Sequence, residues 1–163
     1  MEVKTGLGQD SHRFDNKNSS KKLVLGGVTF SGHPPLKGNS DADVILHAIT
    51  NSISSITGRN ILGGIADKMC LEDGITDSRQ YLKVAVKDLA DWQISHLALS
   101  LECKRPKISP KIDAIKNSLA SLLPISPKDI GITATSGEGL TAFGRGEGIQ
   151  AQAILTVVNK GEK

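Results

Sequence analysis

The chain has 163 residues, 38% of them hydrophobic and 3% aromatic. That length suits one domain over residues 1–163, while the scarcity of aromatics implies a core of Ile, Leu, Val and Ala and argues against the aromatic stacking platforms that single-stranded nucleic acid needs. Twenty basic against 17 acidic residues give a net charge of +3, which suits a cleft for phosphates but is too mild for a dedicated DNA-binding protein. Cys70 and Cys103 stand far apart, so neither a CxxC pair nor a disulfide framework is expected, and a reducing compartment is the default. With no apolar run of about 18 residues and no signal-peptide pattern, the expected location is cytoplasmic, with no membrane or nucleic-acid partner.

In chain order, Val3–Gly8 reads as a short strand closing in glycines, just before Asp10-Ser11-His12. Asp15–Lys22 is a polar loop, and Leu23–Phe30 reads as two short strands around Gly26-Gly27. A helix is expected from Asp41 to about Thr57, N-capped by Ser40 and stopping near Gly58. Ile61–Thr76 reads as a loop with about one helical turn, and a second helix starts at Asp77-Ser78 and ends near Asp91-Trp92. Ile94–Glu102 alternates as a strand, Lys111–Leu123 is a third amphipathic helix, and Ile130–Ser136 is a strand. The Gly-rich run Gly137–Gly148 leads to a last strand, Ile149–Val158. The expected fold class is α+β: a mostly four-stranded mixed sheet with helices on one face, plus a small β-hairpin. The bare sheet face suggests an oligomer.

The chemistry-bearing residues begin with Asp10 and His12, which are two apart on an extended segment and point the same way. Asp43 and His47 are four apart on a helix start, where a carboxylate can cap the helix, orient the imidazole, or do both. Asp10, His12 and His47 together make three protein ligands, the set of a catalytic zinc with one position open. The spacing alone equally allows a turn Asp, a surface His and a helix His.

Thr135-Ser136-Gly137-Glu138-Gly139 combines hydroxyls, backbone N–H groups and a carboxylate after a strand. It suits phosphate oxygens and, through Glu138, a hard cation; the plain alternative is an ordinary Gly-rich loop. Arg145 can hold an anion or simply pair with Glu147. Lys104, Arg105 and Lys107 suit phosphate binding or a solvated basic turn, and Cys103 beside them is a candidate for a lowered pKa.

D-S-H near the N-terminus, then S-D-A-D-V-I-L-H, then T-S-G-E-G-L-T-A-F-G-R-G-E-G-I resemble, in order and over nearly the full length, the 2-C-methyl-D-erythritol 2,4-cyclodiphosphate synthase family. The resemblance implies a homotrimer with active sites between neighbouring subunits. It implies zinc on Asp10, His12 and His47, and a second divalent ion, Mg²⁺ or Mn²⁺, on Glu138. Asn39 and Ser136 take the catalytic positions, and Thr135 and Ser136 contact phosphate oxygens. Cys103, Lys104, Arg105, Pro106, Lys107, Ile108 and Ser109 form the cytidine pocket. The remaining substrate contacts are Asp10, His12, Ser40, Gly64, Ile65, Gly137, Glu138, Ala142 and Arg145.

The implied reaction cyclises 4-diphosphocytidyl-2-C-methyl-D-erythritol 2-phosphate to 2-C-methyl-D-erythritol 2,4-cyclodiphosphate with release of CMP, in non-mevalonate isoprenoid biosynthesis. An isoprenoid diphosphate in the trimer cavity is also implied. The sequence departs from the family at several points. Asn39 stands for a usual His, Ser136 for Thr, Gly64 for Asp and Gln9 for Phe, and Met69–Thr76 replaces a longer F-P-D-x-D-P stretch. These departures motivate an alternative: a catalytically impaired trimeric binding protein for cytidine nucleotides or isoprenoid diphosphates.

Overall fold

In a computed structural model that describes residues 1–18, 20–159 and 161, strand β1 runs over Glu2–Arg13, well past the expected end at Gly8. Ser19 of the expected polar loop and residues 160, 162 and 163 of the expected domain lie outside the described residues. The strand continues because β6 (Gly148–Asn159) pairs with it antiparallel from Glu2↔Asn159 to Arg13↔Gly148, which keeps Asp10 and His12 extended. On the other side of β6 lies β4 (Gln93–Glu102), antiparallel, and beyond it β5 (Ile130–Thr135), parallel to β4. The order is β1-β6-β4-β5, a mixed sheet. A parallel pair needs a crossover, and helix α4 (Ile112–Leu122) supplies it. The hairpin is present as β2 (Val24–Leu25) and β3 (Val28–Thr29), turning at Gly26 and Gly27 with φ of 61° and 79°.

Helix α1 spans Val44–Thr57 and starts later than expected. Ala42 has φ 56°, outside the helical region, so the chain enters the helix only after it. Ser40 is therefore not the cap; its hydroxyl oxygen accepts from Ala42 N at 3.1 Å. Asp43 is the N-cap and accepts from Leu46 N at 3.1 Å. The same carboxylate accepts from Gly26 N and Gly27 N, both at 2.8 Å, and so straps the hairpin to the helix start. Complete burial pushes the Asp43 pKa up to about 6 against those amide bonds. The helix ends at Gly58, as its left-handed φ of 78° allows.

The stretch expected to be mostly loop holds a full helix, α2 (Gly64–Leu71), capped by Gly63 at φ 87°. Helix α3 covers Ser78–Lys87, with Asp77 as its cap, and stops before the expected Asp91. The aliphatic core is as composition required: Ile45, Ile49 and Ile53 of α1 are buried together with Leu97, Leu99 and Leu101 of β4 and Ala151, Ala153, Leu155 and Val157 of β6. The opposite face of the sheet leaves Val3, Leu7 and Ile154 exposed.

Candidate metal centre

Alternation along β1 places Gly6, Gly8, Asp10 and His12 on one face, the face that meets α1. A Cβ on Gly6 would stand 2.1 Å from the Ser52 carbonyl oxygen, and one on Gly8 would stand 2.0 Å from that of Ala48. Only glycine permits that approach. The helix therefore lies directly on the strand, running the opposite way, and its first turn comes level with Asp10 and His12. His47 sits in that turn, 7% exposed.

Three side chains converge there. Asp10 Oδ2 lies 2.8 Å from His12 Nε2 and 3.0 Å from His47 Nδ1, and the two imidazole nitrogens are 3.3 Å apart. The three ligand atoms all fall within 4.8 Å of one another. Two imidazoles and a carboxylate are the donor set of a catalytic zinc, so the residues fit such an ion. Burial would raise the Asp10 pKa, but the two imidazoles outweigh it and hold it at about 2. Burial would lower the pKa of His12, but the Asp10 carboxylate outweighs it and holds it above 6.5.

A second layer holds the ligands, and most of it gave no signal in the sequence. His12 Nδ1 donates to the Lys37 carbonyl oxygen at 2.8 Å. Lys21 donates to the carbonyls on either side of it, Leu36 at 2.9 Å and Gly38 at 3.1 Å. His47 Nε2 lies 2.8 Å from Ser78 Oγ, which in turn donates to Asp41 Oδ1. Of the two roles open to Asp43, capping the helix and orienting His47, the structure shows the first: its carboxylate is committed to Leu46, Gly26 and Gly27.

The cluster opens into a cavity of about 200 Å³ whose wall includes Asn39, Ser40, Leu62, Gly63, Asp67, Cys70 and Tyr81. Of the substrate positions read from the sequence, Asn39 and Ser40 are thus beside the cluster. Gly64 and Ile65 are not in the wall; their neighbours Gly63 and Ala66 are, because Gly64 and Ile65 open helix α2. Cys70 Sγ donates to the Asn39 carbonyl oxygen at 3.4 Å.

The other expected residues gather elsewhere. Cys103 N bonds Thr135 O at 3.1 Å, and Lys104 N bonds Phe143 O at 3.0 Å, which ties segment 103–109 to the Gly-rich loop. Lys104, Arg105, Lys107 and Ser109 are exposed, while Pro106 and Ile108 are buried. Cys103 is also buried, and burial beside Glu102 raises its thiol pKa to about 11, the opposite of the lowering for which its basic neighbours made it a candidate.

The Gly-rich loop differs from an open nest of amides. Thr135 Oγ1 accepts from Gly137 N at 3.2 Å, and Ser136 Oγ accepts from Glu138 N at 3.3 Å. Thr135, Ser136 and Glu138 are all exposed, and Glu138 has φ 49°. Glu102, unnoticed in the sequence, accepts from Thr141 Oγ1, which in turn accepts from Gly144 N at 3.0 Å. Arg145 is paired with Glu147 at 3.2 Å. Ala142 lines a separate hollow with Ser11, His12 and Glu147.

One row of the sheet relates the two groups: Ser11↔Gln150↔Glu102↔Thr135. Three strand spacings separate its ends by about 14 Å. Asp10 and His12 face α1, whereas Thr135 falls on the opposite face, in step with Ser11. Within one chain the cluster and the hydroxyl loop therefore share one end of the sheet but not one edge or one face.

The YgbB family profile matches residues 3–158. The 2-C-methyl-D-erythritol 2,4-cyclodiphosphate synthase of Chlamydia felis is 51% identical over 156 residues, which cover 95% of this chain and 89% of the relative. The enzyme of the same name from Chlamydia trachomatis serovar D is 47% identical, covering 95% and 88%. The bifunctional IspDF from Campylobacter jejuni superposes with a TM-score of 0.84 at 26% identity; the match covers 96% of this chain and 42% of that longer protein. A solved 2C-methyl-D-erythritol-2,4-cyclodiphosphate synthase matches at 0.77 and 27%, covering 95% of this chain and all (100%) of its own. With the family profile spanning residues 3–158 and a relative 51% identical over 95% of the chain, the chain belongs to the YgbB family, that of the 2-C-methyl-D-erythritol 2,4-cyclodiphosphate synthases.

Proposed function

We propose that this chain, as a single domain over residues 1–163, catalyses the metal-dependent cyclisation of 4-diphosphocytidyl-2-C-methyl-D-erythritol 2-phosphate to 2-C-methyl-D-erythritol 2,4-cyclodiphosphate, releasing CMP, in non-mevalonate isoprenoid biosynthesis. The observation that carries it is the convergence of Asp10, His12 and His47 within 4.8 Å, in a chain of this family. Asp10, His12 and His47 would hold zinc, which two imidazoles and a carboxylate suit. Glu138, an exposed carboxylate among hydroxyls, would hold Mg²⁺ or Mn²⁺. Bound divalent ions supply Lewis-acid charge neutralisation on the diphosphate.

The substrate's own 2-phosphate, largely dianionic with a second pKa of about 6, is the nucleophile, so no enzyme base is needed. Its oxygen bonds to the β-phosphorus, the bond from that phosphorus to the bridging oxygen breaks, and CMP leaves with the electron pair. The chain's task is alignment, which in favourable intramolecular cases is worth roughly 7–11 kcal/mol. Thr135 and Ser136 accept from loop amides and so keep their O–H groups free to donate to phosphate oxygens. Gly137 supports that turn. Arg145 is taken as a phosphate contact and Ala142 as an apolar one. Asn39 donates to the transferring phosphate without adding charge, beside Ser40, and Gly64 and Ile65 approach the ribose from the start of α2. Cys103 to Ser109 enclose the cytosine through backbone groups.

The separation of about 14 Å between cluster and hydroxyl loop supports a site completed by a neighbouring copy, hence the homotrimer. The exposed Leu7 and Ile154, in register on the uncovered sheet face, support the same reading. Gln9 pairs with Gln152 on that face, so a cavity there is partly polar, and an isoprenoid diphosphate would depend on Arg145 for its charge. A cytoplasmic location accords with two free cysteines and with no described helix long and apolar enough to cross a membrane.

The test is incubation with the cytidyl substrate, with and without Zn²⁺ and Mg²⁺, followed by phosphorus NMR. Cyclic diphosphate and CMP at catalytic rates are expected. Ligand binding without turnover would favour the impaired binding protein, and linear phosphates would indicate a hydrolase; either overturns the proposal. Light scattering is expected to give three times the mass of the chain.

A further inference from the structure

We infer that Ser78, held by Asp41, is a positioning residue that fixes His47 as its Nε2–H tautomer and so turns the Nδ1 lone pair toward the ion. The inference rests on the metal reading above. It follows from counting protons. Asp41, when ionised, only accepts: its Oδ1 takes Ser78 Oγ–H and Asp43 N–H, and its Oδ2 takes Ser78 N–H at 3.1 Å. A serine hydroxyl has one proton, and here it goes to Asp41. At His47, 2.8 Å away, Ser78 Oγ can then only accept, so the proton on that side belongs to Nε2. The opposite tautomer would set Asp41 Oδ1 against Ser78 Oγ with no proton between them.

His12 obeys the same rule by a different device. A carbonyl oxygen cannot donate, so the Lys37 carbonyl fixes His12 as Nδ1–H and leaves Nε2 free. The two imidazoles thus carry their protons on different ring positions, each pointing away from the cluster. Ser78 is fully buried, and Asp41 N bonds Thr76 O at 2.9 Å, so the relay is anchored at the starts of both α1 and α3. Orienting partners of this kind are worth roughly 10–100-fold in metal affinity.

Long-range proton–nitrogen NMR correlation on the labelled metal-free chain, above the ordinary imidazole range, reads the tautomer directly. His47 is expected with its proton on Nε2. In Ser78→Ala the proton is expected to move to Nδ1, facing Asp10, with a roughly tenfold or greater loss of Zn²⁺ affinity in chelator competition. A wild-type His47 protonated on Nδ1, or a Ser78→Ala chain with wild-type Zn²⁺ affinity, overturns the inference. If the wild-type chain binds no Zn²⁺ the metal reading fails, while the nitrogen spectrum still decides the role of Ser78.

Discussion

His12 Nε2 and His47 Nδ1 face each other at 3.3 Å, with the Asp10 carboxylate bridging them at 2.8 and 3.0 Å. Two lone pairs and an anionic oxygen repel unless a cation lies among them. In the metal-free chain that cation is a proton, which is why the His12 pKa rises despite burial.

A dependence on pH follows. The folded pKa of His12 lies above 6.5, so its share of stability is complete below that value and is lost as pH rises through the folded one. Asp10, held at about 2 against 3.8, keeps its share above pH 3.8 and loses it only as pH falls toward 2. The metal-free chain is therefore expected to melt at lower temperature as pH is raised above neutral. Stabilisation by added Zn²⁺ is expected to grow over the same range, because the ion no longer competes with the His12 proton. Thermal melts with and without Zn²⁺ check this; a metal-induced shift that ignores pH would refute it.

Gly8→Ala tests the contact that brings His47 to Asp10. The new Cβ would stand 2.0 Å from the Ala48 carbonyl oxygen, so α1 must move off β1. A loss of about 3 kcal/mol is expected, at the upper end for overpacking. Because His47 travels with α1 while Asp10 and His12 stay on β1, Zn²⁺ affinity should fall as well. Denaturant melts and chelator competition measure the two effects, and an unchanged chain in both would refute the close-contact account.

Asp43→Asn separates capping from ligand orientation. The carboxylate serves Leu46, Gly26 and Gly27, and an amide would turn its NH₂ against one of these N–H groups. A loss of about 2 kcal/mol is expected from the orphaned donor. Metal affinity should stay well short of the tenfold change typical of a residue that orients a ligand. A tenfold loss with little loss of stability would restore Asp43 as the partner of His47.

The contrast between Asp43 and Ser78 shows how much of the site could be read from the chain. Asp10 and His12 were legible because a period of two is a local property of an extended segment. His47 was legible because it lies on the same helix start as an acidic run. Ser78 was not: it is 31 residues from His47, and only the packing of α3 against α1 brings them together. For Asp43 the sequence left capping and orientation of His47 both open, because spacing shows what can reach His47 and not what competes for the carboxylate, and the Gly26 and Gly27 amides compete from 17 and 16 residues away. In the fold, strands with clear alternation and the Gly-Gly hairpin were visible. Helix α2 was hidden because Gly63-Gly64, read as loop residues, are its cap and first residue. The partners of Glu102 were hidden in the same way, since a carboxylate at a strand end looks solvated until Thr141 is folded onto it.

Glu102 gives the sharpest separation between the two halves of the proposed site. Its carboxylate accepts from Thr141, whose Oγ1 accepts from Gly144 N, and its side chain fills the space beside Gly137. Glu102→Ala removes the support under the loop that carries Thr135, Ser136 and Glu138, yet it lies two strands from β1. Turnover at low substrate is expected to fall by roughly tenfold, the equivalent of about 1.4 kcal/mol of lost transition-state stabilisation. Zn²⁺ affinity should not change, because Asp10 and His12 lie two strand spacings, about 10 Å, from Glu102 and on the other face of the sheet. Steady-state kinetics and chelator competition on one preparation read both. Loss of Zn²⁺ together with activity would mean that the loop and the cluster are one unit within a single chain, and the case for a site shared between copies would go with it.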